Sequence, residues 1–436
     1  MRRPAIAALI AVASIALLLS SRTAEAAEQP AARPLSLDEA ITLALANNLG
    51  YRSAKIAVGA AEARLREAES PRLPVLAVRD TYQYANPVAT LQTPIGSLPF
   101  SPNSTNVPLL ALQYSLFDGG LTAARVGEAA SGLAAARATE RVARGEVIAA
   151  ASKAYYDLMA AMRLADVANH AVDLAEGHLK QAQALYDNGQ IPKADVLRAQ
   201  TELANQRVNA IGAKNAVALA QVALDDVLNV PQTNLYAPTD RLSDELPAFN
   251  LDAILGSART SRGEILAAEA AVSAARRAVD EARANSWPQV GVTLADGNTQ
   301  PAVVNGYHNQ FSVGLNAVWT LFDHDYTAGR IAAARSGVRQ AEIALEQLRD
   351  GVELQVRQAY LNANEAAARV AAAKQLVTSA DESLRVAQVR YRGGVGTALE
   401  LQDAELQDIS ARQTLVNAEA ALRESIVQLR FAAGLL

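Results

Sequence analysis

Leu116-Phe117-Asp118-Gly119-Gly120-Leu121-Thr122-Ala123-Ala124-Arg125 returns 205 positions later as Leu321-Phe322-Asp323-His324-Asp325-Tyr326-Thr327-Ala328-Gly329-Arg330. Outward from it, Ser131-Gly132 matches Ser336-Gly337, Ala154-Tyr155 matches Ala359-Tyr360, Tyr186 matches Tyr391 and Gly189 matches Gly394, all at the same spacing. Upstream, Leu37-Asp38 matches Leu251-Asp252 and Pro74 matches Pro288, now at a spacing of 214. The nine additional residues lie between Pro74 and Phe117, in a loop that is longer in the first copy. The chain is an internal duplication with one variable loop per copy.

Before each quoted motif the sequence alternates with a period of two, the signature of strands. From Val75 to Tyr84, Leu76, Val78, Tyr82 and Tyr84 oppose Ala77, Arg79, Thr81 and Gln83. From Leu109 to Phe117, Leu110, Leu112, Tyr114 and Leu116 alternate with small or polar residues. Val290, Val292 and Leu294 start a third segment, and Phe311 to Phe322 form a fourth, with Phe311, Val313, Leu315, Ala317, Trp319 and Leu321 on one face. Length near ten residues, aromatics towards the ends and a small, polar opposite face predict transmembrane barrel strands, with Tyr82, Tyr84, Tyr114 and Trp319 as membrane-interface aromatics. Asp80 falls on the apolar face and is expected near an interface or at a bulge. Four strands do not close a barrel, and open edges in lipid leave backbone groups unsatisfied, so other copies of the chain must complete it. Two copies give eight strands and a filled interior; three give twelve and a channel.

After each motif the period becomes helical. Long helices are expected over 119–188 and 324–392, with apolar residues in sevens at Leu158, Ala165, Val172, Leu179 and Tyr186, and at Ala363, Val370, Val377, Leu384 and Tyr391. Each extends about 100 Å. Shorter helices over Leu37–Glu69 and Pro192–Asn229, and over Leu251–Ala284 and Thr397–Phe431, sum pairwise to about one long helix. The expectation is one continuous and one broken rod per copy: a mixed α and β membrane protein with four strands per protomer, continued by a coiled-coil barrel. The corresponding organisation is a signal peptide at 1–26, a first repeat at 27–230, a linker at 231–250 and a second repeat at 251–436.

Arg2 and Arg3, the apolar run Ala5 to Leu19 and Ala24-Glu25-Ala26 read as a secretory signal peptide. Its removal takes away Arg2, Arg3, Arg22 and Glu25 and shifts the formal net charge from −5 to −7, which argues against nucleic acid. The absence of cysteine excludes disulfides, thiolate metal sites and an acylated cysteine anchor. His170 and His178, two turns apart, are expected to be solvated, as are the many carboxylates; neither a metal site, a cofactor nor a catalytic pair emerges. Gly393-Gly394-Val395-Gly396 follows a helix and lacks the Gly-Lys-Ser/Thr of a phosphate loop, so it reads as a helix-to-helix turn.

Leu-Phe-Asp-Gly-Gly at 116–120, Tyr186-x-x-Gly189 followed by Asp195-Val196-Leu197-x-Ala199-Gln200, and Tyr391-x-x-Gly394 followed by Glu400-Leu401-x-Asp403-Ala404 resemble the TolC-like outer-membrane efflux proteins. The resemblance covers essentially the whole mature chain. It implies a homotrimer with a twelve-stranded barrel in outer-membrane lipid, continued by an α-helical barrel across the periplasm. Its turns, Gly189-Gln190-Ile191-Pro192 and Gly394-Val395-Gly396-Thr397, then form the periplasmic entrance. There the family meets a periplasmic adaptor protein and, through it, an inner-membrane pump. The resemblance further implies an acidic ring near the end of the second long helix. This chain instead carries Arg385, Arg390 and Arg392 there, with Lys180 and Asp187 at two of the matching positions of the first copy. The gate is expected to close by pairing Asp187 or Asp195 with one of those arginines. A secreted periplasmic coiled-coil scaffold with soluble hairpins is the alternative to a duct; an enzyme is not expected.

Overall fold

The computed structural model describes residues 33–436 apart from 89, 100–102, 233, 243–245 and 300–307. The expected signal peptide, 1–26, lies outside the described residues. In chain order the first copy holds β1 (Arg33–Leu35), α1 (Leu37–Asn47), α2 (Leu49–Glu69), β2 (Val75–Tyr84), β3 (Thr90–Thr93), β4 (Gly96–Pro99), β5 (Ser104–Phe117), α3 (Leu121–Asp187) and α4 (Lys193–Leu228). After β6 (Tyr236–Pro238) the second holds α5 (Leu251–Ser261), α6 (Gly263–Ala284), β7 (Gln289–Thr299), β8 (His308–Val318), α7 (Tyr326–Arg392) and α8 (Ala398–Ala432).

The helices form four rods. α3 and α7 are continuous over 67 residues each. Towards the sheet α3 packs between α2 and α6; towards its far end it packs between α4 and α8, and α7 follows α6 and then α8. The other two rods are broken. Asn47 Nδ2 donates to Leu228 O at 3.2 Å and Asn229 Nδ2 to Asn47 O at 3.0 Å, seating the first copy's upper helices on α4. Arg262 Nη1 donates to Ala432 O at 3.1 Å, seating α6 on the end of α8. Exposed ion pairs cross the sheet-side seams (Arg137–Glu62, Arg125–Glu281, Arg276–Glu342, Arg349–Glu269) and contribute little each. Close approach rests on buried alanine: Ala151, Ala168, Ala171, Ala175 and Ala182 on α3, and Ala363, Ala366, Ala373 and Ala380 on α7.

Two expected single helices are each interrupted. Leu37–Glu69 breaks at Asn48, whose extended backbone lets its side chain cap α2 through Tyr51 N. Leu251–Ala284 breaks at Arg262, again extended, whose guanidinium is drawn into the α8 terminus.

The strands make one antiparallel sheet in the order β2-β5-β7-β8, so the two copies join edge to edge. One face carries Leu76, Val78, Leu110, Leu112, Val292, Leu294, Val313 and Leu315; the other carries Ala77, Arg79, Ala111, Gln113, Gly291, Thr293, Ser312 and Gly314. The first is the lipid-facing pattern and the second the lumenal one. Three details differ from expectation. The ladder runs without a break past Asp80, which sits opposite Pro108; the irregularity lies at Ser115/Phe117, so Phe117 rather than Leu116 takes the place opposite Val290. Asp296, opposite Leu110, is a second acid on the apolar face, in the row next to Asp80 towards the helices. β8 ends at Val318, not Phe322, and Trp319 Nε1 donates to Ser286 O at 3.2 Å, tying the strand exit to the end of the helix before β7. The longer loop of the first copy contains the β3-β4 hairpin.

The quoted motif is the joint between sheet and rods. Asp118 accepts from Gly120 N at 2.9 Å and Thr122 N at 2.7 Å; Asp323 accepts from Thr327 N at 2.9 Å. Each carboxylate thereby satisfies first-turn amides that a helix start leaves open. Between carboxylate and helix the backbone is left-handed in both copies, at Gly119 and Gly120 and at His324 and Asp325.

Candidate entrance at the helical hairpin tips

At the end away from the sheet, both long helices finish in the same way. Gly189 N donates to Tyr186 O at 2.8 Å and Gln190 N to Leu185 O at 2.9 Å, with Gly189 at φ +71°. In the second copy Gly394 N donates to Tyr391 O at 3.2 Å and Val395 N to Arg390 O at 3.1 Å, with Gly394 at φ +72°. This is the Schellman termination, which needs a left-handed residue three positions after the tyrosine whose carbonyl it caps. The Tyr-x-x-Gly spacing is therefore a backbone requirement. The chain re-enters a helix at Pro192 and at Thr397, the latter through a capping box with Glu400. Gly396 is needed for closeness: a Cβ there would lie 3.0 Å from Arg390 Cβ and Tyr391 N. Gly189, Gln190, Pro192, Gly394, Val395 and Thr397 are exposed, and Ile191 and Gly396 half-buried.

Behind the turns the two copies diverge. Tyr391 is buried with Leu384, Leu401 and Ala404, and Leu174 and Leu185 of α3 pack against that cluster. Burial first, then the charges of Asp195 and Glu405, push its phenol above the ordinary value. Tyr186 is exposed.

The six charged gate candidates do not pair as expected within a protomer. Asp187 accepts from Gln183 Nε2 at 2.8 Å and Asp195 lies 3.6 Å from Arg198. Arg385 donates to Glu382 at 2.7 Å, and its guanidinium holds the Glu382 carboxyl below the usual range. Arg390 reaches Val395 O at 3.4 Å and Glu400 at 3.8 Å. Lys180 lines a groove of about 610 Å³ between α3 and α4 with Asp187, Glu176 and Arg207. Arg392 is exposed beside the turn. For Asp187, Asp195 and Arg385 the physical reason is local reach, since partners three or four residues along the same helix lie within range.

His178 overturns its expectation. It is buried, its Nδ1 lies 3.3 Å from Glu405 Oε2 of α8, and its ring meets Tyr391 edge-on at 5.5 Å between centroids. Glu405, Asp408 and Glu419 are buried too, against the reading of all carboxylates as solvated. The signal was present: Ala168, Ala171, Ala175, His178 and Ala182 alternate in threes and fours, a second seam beside the leucine one.

The outer membrane efflux protein family model matches residues 40–230 and 254–435. The chain belongs to that family. Protein CyaE of Bordetella pertussis is 29% identical over 405 residues, covering 92% of this chain and 84% of that protein. Outer membrane protein TolC of Escherichia coli is 24% identical over 384 residues, covering 82% and 74%. Among solved structures, the outer membrane protein VceC of Vibrio cholerae superposes with a TM-score of 0.78 at 21% identity, covering 91% of this chain and 96% of that one. The MtrE outer membrane channel of Neisseria gonorrhoeae, in its open state, gives 0.70 at 22%, covering 92% and 89%. This efflux-family chain is thus an outer-membrane exit duct with a large periplasmic helical portion, its four strands contributing to a twelve-stranded trimeric barrel. The strands of both copies join in a single sheet with one largely apolar face, which favours the duct over a scaffold with soluble hairpins.

Proposed function

We propose that this duct is passive, that its two hairpin turns receive a periplasmic adaptor protein, and that cargo reaches it from an inner-membrane pump held by that adaptor. The observation that carries the reading is the pair of Schellman turns, 205 residues apart in sequence and at the same end of the rods. Two equivalent, rigid, exposed turns per protomer give six quasi-equivalent contacts in a trimer, a suitable footing for a ring of adaptor subunits. The family relationship supports an exporting role, and among the relatives is the alkaline protease secretion protein AprF of Pseudomonas aeruginosa, 29% identical over 40% of this chain. Gly189, Gln190, Ile191 and Pro192 with Gly394, Val395, Gly396 and Thr397 are the proposed contact. Tyr82, Tyr84, Tyr114 and Trp319 are the proposed interface aromatics: Tyr82 and Tyr84 at the loop end of β2, Tyr114 one row inside the helix end, and Trp319 just beyond β8.

The test is export by whole cells carrying Gly189→Trp or Gly394→Trp, alongside mass and single-channel conductance of the purified particle. Both variants are expected to assemble as trimers yet fail to export. Normal export by both would remove the turns as the adaptor contact, and a water-soluble monomer would remove the trimeric duct.

A further inference from the structure

The strand segments are almost free of charge. From Leu73 to Phe117 and from Asn285 to Phe322, loops included, the sequence holds three Asp, Glu, Lys or Arg residues: Arg79, Asp80 and Asp296. Asp80 and Asp296 stand on the lipid-facing side of the sheet. Arg79 stands on the lumenal side opposite Leu109, and the same row continues through Gly297 to Gln310, close to the loop end of β7 and β8. Each acid is the chain neighbour of a member of this row, Asp80 of Arg79 and Asp296 of Gly297. At one level, then, the wall turns its carboxylates outward and its guanidinium inward.

Nothing on the inner face neutralises that guanidinium. Arg79 is exposed and makes no ion pair or hydrogen bond among the described residues. Its strand, β2, is an edge of the sheet, so closing the barrel lays β8 of the next copy against it. β8 contains no carboxylate at any position, so Arg79 meets no acid there whatever the register of closure. The lipid-facing acids weigh less in the lumen, because they lie across the thickness of the wall while the guanidinium is carried inward on a long stem. Arginine stays ionised at any physiological pH, so the charge is permanent. Twelve strands spaced about 4.8 Å apart and tilted about 40° enclose a ring of about 12 Å radius at the backbone. An arginine stem spans roughly half of that radius. The distance left to the axis is comparable to the Debye length of about 8 Å at physiological salt, so three such charges are felt across the whole opening.

We propose that Arg79, repeated three times, is the residue that sets the charge preference of the barrel: it concentrates anionic cargo near the outer mouth of the duct and holds back bare metal cations. A ring of like charges in a low-dielectric wall raises the local concentration of solutes of the opposite sign and lowers that of its own. The selection is by charge and not by shape, since a lumen this wide passes solutes with their hydration shells intact. It holds whatever meets the helix turns at the other end of the duct, so failure of the adaptor contact would leave it standing.

The experiment is recording from purified trimers in planar lipid bilayers under a potassium chloride gradient. Arg79 has no partner to lose among the described residues, so its variants are expected to assemble as wild type does. Arg79→Gln is expected to lower the chloride-over-potassium permeability ratio about threefold and Arg79→Glu about tenfold, while Arg79→Lys stays within about twofold of wild type. At about 1 M salt, where the Debye length is about 3 Å, these differences should largely vanish. The wild-type ratio in both Arg79→Gln and Arg79→Glu overturns the proposal. A second arm locates the effect in the barrel rather than at the entrance. It uses Ala77→Cys, the next lumenal position on β2, in a chain that has no other cysteine. An anionic and a cationic methanethiosulfonate reagent are added from the loop side, and their modification rates are compared. The anionic-over-cationic rate ratio is expected to fall about threefold when Arg79→Gln is added. Equal ratios in the two backgrounds, or a thiol that neither reagent reaches, overturn the proposal.

Discussion

The hydroxyl of Tyr155, at the middle of the first long helix, lies 2.7 Å from Asp240 Oδ2 in the segment between the two copies. It also lies 3.0 Å from Leu35 O, and the same carboxylate oxygen accepts Leu37 N at 2.8 Å. The inter-copy segment is thereby fastened to the long rod and to the start of the first copy, at the level where both broken rods change helix. Tyr155 is fully buried within the largest apolar cluster whereas Asp240 is exposed, so the bond ties the core to a surface segment.

Tyr155→Phe should cost about 1 kcal/mol, since it removes the hydroxyl's hydrogen bonds while Thr239 N still serves Leu35 O and Leu37 N still serves Asp240. Burial, then the hydrogen bond to Asp240, pushes the phenol above its ordinary value of 10.0. Above that value the unfolded chain loses this proton before the folded one, so stability should fall as pH rises further. Thermal melting at graded alkaline pH should show a shallower decline in Tyr155→Phe than in wild type; equal slopes would refute the assignment.

Gly119→Ala should be the costly substitution at the sheet-to-helix joint. A Cβ there would lie 2.7 Å from both Ala284 O and Trp287 Cβ, in addition to the left-handed φ of +67°. Gly120→Ala meets open space at φ +90° and bears only backbone strain, about 1–2 kcal/mol. Trimer melting temperatures should order wild type, Gly120→Ala and Gly119→Ala; the reverse order of the two variants would count against the contact.

In the second copy the same joint uses His324 at φ +52° and Asp325 at φ +64°. The His324 ring packs edge-on against Phe322 at 4.5 Å, which offsets part of its strain. Asp325→Gly removes strain without removing such a contact and should stabilise by about 0.5–1 kcal/mol. Denaturant midpoints of the two proteins would settle the sign.

Burial raises the Asp118 carboxyl, but the hydrogen bonds from Thr122 and Gly120 outweigh it and hold the group below its ordinary value. A depressed carboxyl contributes stability that is present above the unfolded value and lost as pH falls through the folded one. Asp118→Asn should therefore flatten the acid limb of the melting temperature below about pH 4. An unchanged acid limb would mean that the carboxylate charge is not felt at the joint.

Arg390→Glu with Arg392→Glu places acids beside the second turn, near Glu400 and repeated three times in a trimer. A ring of one sign in a constriction selects by charge. Conductance should rise and block by divalent cations should strengthen; recordings identical to wild type would remove these arginines from the gate.

The duplication, the four alternating segments, the long rods and the Tyr-x-x-Gly turns were legible in the sequence because each is a local periodicity. A strand repeats every two residues, a coiled-coil seam every seven, and a Schellman turn needs its glycine three places after a fixed carbonyl. Leu116-Phe117-Asp118 announced both the strand end and the helix start, whereas its copy announced the helix start alone, β8 stopping at Val318. Which residues of a helix are covered on a second side is not local. His178 stands in an alanine seam whose spacing marks a covered face but whose partner, α8, is known only once the helices pack, and Asp296 shares a face with Asp80 only once β5 pairs with β7. The breaks at Asn48 and Arg262 likewise arise where one rod meets the end of another. The sequence by itself determined the elements and their order, since backbone conformation follows from neighbours along the chain. The partners of His178, the apolar row that contains Asp296 and the hydrogen bond of Tyr155 to Asp240 were decided by tertiary structure, since contacts and burial depend on residues far away in sequence.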